Sequence, residues 1–151
     1  MKHLAISFLK LSGLILVFFT GCNNIPDCDA PFTSELVIQF VDSTKTESRP
    51  EIFESIREIN SGFVFVENDT LRSVVVLEVD PQDTTTGYIF EGVDFIDTLI
   101  VSYSFNQMLI SELCGPALRV IDLEILSHTF ADTVVVSREL LRNEINVQVV
   151  R

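Results

Sequence analysis

Residues 121–125 read Ile121-Asp122-Leu123-Glu124-Ile125, and residues 145–149 read Ile145-Asn146-Val147-Gln148-Val149. In both stretches every second residue is apolar. Successive side chains of an extended chain point to opposite faces, so this alternation belongs to an antiparallel strand with one face on a core and the other in water. Comparable runs recur at 36–41, 62–67, 73–80, 87–91, 98–105, 117–126, 133–137 and 144–150. Roughly eight short strands, turn residues between them and no long amphipathic helix predict an all-β fold, an antiparallel β-sandwich of immunoglobulin-like type. A small barrel is the alternative.

Finer expectations follow from the same pattern. Asn68-Asp69-Thr70 supplies turn chemistry between the runs 62–67 and 73–80, which predicts a hairpin there. Ile52, Ile56 and Ile59 stand at helical spacing, so 51–60 reads as a weak helical or irregular patch. Val74-Val75-Val76-Leu77 and Leu99-Ile100-Val101 are apolar on both parities and read as central strands covered on both sides, or as strands carrying an interface.

The N-terminus has a different character. Lys2 is followed by the apolar run 11–19 and then Thr20-Gly21-Cys22. A basic start, a short apolar core and a small-residue exit make a secretory signal. The core is too short for a bilayer of ~30 Å, which needs about 20 apolar residues. With the cysteine at its end, the segment resembles a bacterial lipoprotein signal, although Phe19 stands where an aliphatic residue is usual. The resemblance implies cleavage after residue 21, lipidation of Cys22, and a lipid-anchored envelope location. Asn23 rather than Asp follows Cys22, which by the same resemblance favours the outer membrane. The expected layout is a signal at 1–21, a lipidated Cys22 and linker over 22–33, and a sandwich over 34–151.

Removing the first 21 of the 151 residues leaves 130, enough for one domain with a substantial core. Lys2 and Lys10 go with the signal, so the charge moves from −12 to −14. This balance opposes binding to nucleic acid, which needs basic patches, and to anionic lipid surfaces. With Cys22 acylated, Cys28 and Cys114 form an even pair in an oxidising compartment, which predicts a disulfide.

No catalytic set stands out. His128 is the one histidine beyond the signal, no Gly-x-Ser-x-Gly elbow or phosphate loop is present, and His128 reads as a surface or turn residue at a strand end. Two distant cysteines and one histidine are too few for a metal site of usual spacing, and no cofactor is expected. The carboxylates of Asp80-Pro81-Gln82-Asp83 and of 94–97 read as turn or solvated surface. Asp followed by Ser or Thr occurs at Asp42, Asp69, Asp83, Asp97 and Asp132. The pattern resembles the O-glycosylation acceptor of exported Bacteroidota proteins and implies Thr70 and Thr84, in expected loops, as acceptors.

Asp97-Thr98-Leu99-Ile100-Val101-Ser102-Tyr103, the segment Leu109-Ile110-Ser111-Glu112-Leu113-Cys114-Gly115-Pro116, the alternating strand to His128 and the closing strand at 143–150 together resemble a family of small Bacteroidota envelope lipoproteins known only as a domain of unknown function. That resemblance covers most of the chain beyond the signal. It implies a β-rich envelope lipoprotein without an established activity, and it supplies no catalytic residues. The leading expectation is a non-enzymatic binding or scaffold module for another envelope component, with an outer-membrane protein as partner class. The alternatives are a surface glycan- or peptide-binding module, for which Tyr88 and Tyr103 are the only tyrosines and no Trp is present, and a carboxylate-dependent hydrolase.

Overall fold

A computed structural model describes residue 28 and residues 32–151, with backbone only at 68–70. Nine strands follow in chain order: β1 Glu35–Val41, β2 Glu51–Glu58, β3 Val64–Arg72, β4 Val74–Glu78, β5 Thr85–Gly92, β6 Phe95–Ser111, β7 Gly115–His128, β8 Asp132–Val135 and β9 Val147–Val150. They form a four-stranded sheet of order β4-β1-β9-β8 and a five-stranded sheet of order β3-β2-β5-β6-β7. The described residues contain no helix. The fold is therefore the expected all-β sandwich. β1 and β2 lie in different sheets, whereas the constant-type immunoglobulin sandwich keeps its first two strands together. One pair is parallel: β1 and β9 run side by side, with Ile38 opposite Val147 and Phe40 opposite Val149.

The inward faces meet in one core. Leu36, Ile38 and Phe40 of β1 and Val147 and Val149 of β9 pack against Phe53 and Ile56 of β2, Tyr88 and Phe90 of β5, and Leu99, Val101 and Tyr103 of β6. Phe40 is the hub of an aromatic cluster, with ring centroids 4.9 Å from Phe53, 6.0 Å from Phe90 and 6.2 Å from Phe130. These tilted and edge-on contacts suit the ring quadrupoles. Two tyrosines clasp the sheets together: Tyr88 Oη donates to the Glu78 carbonyl at 2.7 Å, and Tyr103 Oη donates to the Asp80 carbonyl at 3.2 Å. Each buries a large ring and still satisfies its hydroxyl.

Three expectations are corrected. Residues 51–58 form strand β2, not a helical patch. Of the isoleucines at helical spacing, Ile56 is buried while Ile52 and Ile59 are exposed, so they share no face; a register irregularity between Phe53 and Ser55 instead sets Phe53 and Ile56 together on the core. The runs 62–67 and 73–80 do not form a hairpin. β3 continues through Asn68-Asp69-Thr70 and pairs with β2, while β4 crosses to the other sheet and pairs with β1. Pairing along β2 outweighs the turn preference of three residues on an edge strand. Lastly, Val74 and Val76 of β4 are exposed on a sheet edge rather than covered on both sides.

Candidate interaction surface

β2, β3 and the β5–β6 turn meet at one end of the five-stranded sheet. Ile52 stands directly across the strands from Leu71, and the turn carries Val93 with Ile96 just beyond it. All four are exposed: Ile52 by 45%, Leu71 by 59%, Val93 by 67% and Ile96 by 64%. Ile52, Leu71 and Val93 line a shallow groove of about 300 Å³, and Val93 and Ile96 line the one beside it, with Phe95 common to both. Acidic Glu54, Glu91 and Asp94 border the second groove. A contiguous exposed apolar area with a polar rim is the usual form of an interaction site.

The base beneath this surface is held tightly. The Arg151 guanidinium carbon lies 3.3 Å from the centroid of the Phe95 ring, a cation–π contact. Its Nη1 is 3.1 Å from Glu51 Oε2, and its Nε is 3.4 Å from Asp97 Oδ2. Arg49 Nε sits 3.0 Å from Glu51 Oε1. That oxygen is buried and accepts no aligned hydrogen bond, so Arg49 offsets its charge without satisfying its lone pairs. Gly92 lets the Phe95 ring lie against the backbone, where any Cβ would strike it. The two arginines and two carboxylates balance in charge, which leaves the apolar side chains to define the surface.

The other candidate residues fall elsewhere. Cys28 and Cys114 are joined, with Cα atoms 5.4 Å apart and a sequence separation of 86, as the cysteine count predicts. Cys22 lies outside the described residues. Thr84 is exposed just before β5, as expected of an accessible acceptor, whereas Thr70 lies within β3 and not in a loop. His128 ends β7, is exposed, and has Nδ1 3.1 Å from the Phe130 carbonyl. Asp80 caps its own turn by accepting from Gln82 N at 2.8 Å, and Asp97 accepts from Thr129 Oγ1 at 2.9 Å. These two carboxylates serve local structure. Among the described residues, no group of three or more His, Cys, Asp or Glu side chains is placed to hold a metal ion.

Tyr88 and Tyr103 are core residues, so neither offers a ring for stacking on a sugar. Burial pushes both phenols up, Tyr103 to about 12. At the surface, Lys45 holds the Asp132 carboxyl below its ordinary range from 2.5 Å, and the Thr44 hydroxyl does the same for Asp42. All of these shifts accompany structural contacts rather than a reactive cleft. Sequence reasoning missed the apolar end surface because its four residues come from three separate segments. Only the register that sets Ile52 against Leu71 brings them together. Comparison with protein-family models, with curated proteins and with solved structures returns no match in any of the three.

Proposed function

We propose that this protein is a lipid-anchored component of the cell envelope, acting not as a catalyst but as a binding or scaffold module for a second envelope protein in the outer membrane. The observation that carries the reading is the apolar end surface of Ile52, Leu71, Val93 and Ile96 on its locked base. Supporting it, Thr20-Gly21-Cys22 resembles a lipoprotein processing site, and the nearby Cys28 is bonded to the domain, so an anchor at Cys22 would hold the sandwich close to the membrane. Kinship with the small Bacteroidota lipoproteins belongs to the same proposal, as does glycan attachment at exposed Thr84.

Affinity purification of the full lipidated chain from its native envelope in mild detergent tests this reading. A stoichiometric membrane protein should accompany the wild type. Val93→Asp and Ile96→Asp should lose it while keeping the wild-type melting temperature, because both positions are largely solvated. Retention of the partner by both variants would remove this surface from the interface, and purification of the chain alone would overturn the scaffold reading.

A further inference from the structure

The β6–β7 hairpin is longer than the sandwich needs. β6 has 17 residues and β7 has 14, yet β5 accompanies β6 only as far as Ser102. Past Phe105, β6 is paired with β7 alone, down to Ser111 opposite Gly115. The turn between them is closed by Cys114 N donating to Ser111 Oγ at 3.1 Å, and Gly115 takes the left-handed conformation at φ 76°. This projecting end is rich in exposed apolar side chains. Leu109 is 62% exposed and Leu113 81%, with Met108 and Leu118 exposed as well.

Residues 107–118 contain a single charged side chain, Glu112, in a chain with 22 acidic residues. The apolar groups lie on both faces of the ribbon. Leu109 faces across to Pro116, and Met108 on the opposite side faces across to Ala117. A protein surface docked against one face would leave the other in water. A lipid layer wets both.

We propose that this hairpin tip seats in the interfacial layer of the membrane that holds the Cys22 anchor, so that the domain stands on two points: its acyl chains and this ribbon. The inference rests on the reading of Cys22 as lipidated. Five residues separate Cys22 from Cys28, six Cα-to-Cα steps with a reach of at most about 20 Å. The disulfide then fixes Cys28 at 5.4 Å, Cα to Cα, from the tip residue Cys114. The tip is therefore the part of the domain held nearest the bilayer. At about 3.3 Å per residue, a 17-residue strand places the β5–β6 turn roughly 55 Å from the tip. The apolar end surface then stands clear of the bilayer, where it meets only the part of an outer-membrane partner that projects from the membrane. Among the described residues no third strand pairs with the two-stranded tip, which confines it to headgroup depth and keeps it out of the hydrocarbon. Its low charge, Glu112 alone, fits contact by apolar side chains rather than by charge.

The chain has no tryptophan, so one introduced indole reports a single place. Leu113→Trp and Val93→Trp, each in the full lipidated protein, are reconstituted into phosphatidylcholine vesicles containing brominated lipid. Flotation and the mass of the Cys22 adduct are read on the same samples. The expected result is a blue-shifted Leu113→Trp emission quenched several-fold by the brominated lipid, with Val93→Trp unquenched. Protein that floats with its acyl chains intact but shows water-like, unquenched emission from Leu113→Trp overturns the tip contact alone. Equal quenching at both positions overturns the upright stance. A Cys22 without lipid, on protein that does not float, overturns the anchoring reading and this proposal with it.

Discussion

Asn146 and Val37 are joined by two hydrogen bonds, Val37 N donating to the Asn146 side-chain oxygen and Asn146 N donating to the Val37 carbonyl, both at 2.9 Å. The side-chain nitrogen of Asn146 donates to the Glu139 carbonyl at 3.0 Å, and the residue is fully buried. One amide thus extends the β1–β9 ladder past the end of β9 and ties in the segment that precedes it.

Asn146→Ala strands a buried Val37 N–H, at a cost of about 1–3 kcal/mol. Urea unfolding should show a lower midpoint with an unchanged slope. Asn146→Asp, which introduces a buried charge beside a carbonyl, should cost more at neutral pH than alanine does. A midpoint equal to wild type for both variants would show that this clasp adds nothing.

The bond between Cys28 and Cys114 closes a loop spanning a sequence separation of 86. In the chain-entropy model that constraint is worth on the order of 4 kcal/mol. Reduction, or Cys28→Ser with Cys114→Ser, should lower the melting temperature of the domain without altering its far-ultraviolet circular dichroism, because the sandwich core does not include the bridge. Calorimetry of the oxidised and reduced protein reads the difference directly.

Gly92 and Gly87 lie on the same strand but differ in what a methyl group would meet. At Gly92 it would strike the Phe95 ring and come within 2.8 Å of the Ile52 carbonyl oxygen, which is backbone and cannot swing aside. At Gly87 the nearest atom is the flexible end of Ile59, at 2.7 Å. Gly92→Ala should therefore cost about 1–3 kcal/mol and Gly87→Ala clearly less. Parallel denaturant melts of the two variants make the comparison.

Tyr88 and Tyr103 are the only tyrosines, so phenolate absorbance reports these two buried rings and nothing else. Burial raises both folded pKa values above the unfolded value of about 10, to about 12 for Tyr103. The neutral phenol is favoured by folding, so this stabilisation is complete below pH 10 and is lost as pH rises through the folded values. In an alkaline titration little phenolate should form near pH 10, and most should form together with loss of tertiary structure. Ordinary titration at pH 10 in a still-folded protein would contradict the burial of these rings.

Much of the sandwich was legible because local pattern and global packing agree. Leu123 faces inward between exposed Asp122 and Glu124, as the alternation of β7 requires. The cysteine pairing followed from assigning Cys22 to a lipid in an oxidising compartment, which leaves two of the three cysteines to pair. What escaped was set by register and partnership. Phe53 and Ile56 face the same side three residues apart because of an irregularity that composition does not announce. Asn68-Asp69-Thr70 has the makings of a turn, but β2 supplies a partner long enough to keep the chain extended. Ile52 and Leu71 look like ordinary strand residues until pairing sets them side by side on an uncovered face.

The parallel contact between β1 and β9 also imposes a timetable. Gln39 and Gln148 touch across that seam while standing 109 residues apart in the chain. A polypeptide emerging N-terminus first can pair β1 with β4 early, but the middle of the four-stranded sheet stays open until residues 147–150 arrive. Contacts this distant in sequence close slowly. Until then the flank of β1 that belongs to β9 remains an unpaired edge beside Ile38 and Phe40, the kind of surface through which nascent chains aggregate. The final strand acts as a keystone, and the interval before it is set is when the molecule most needs protection.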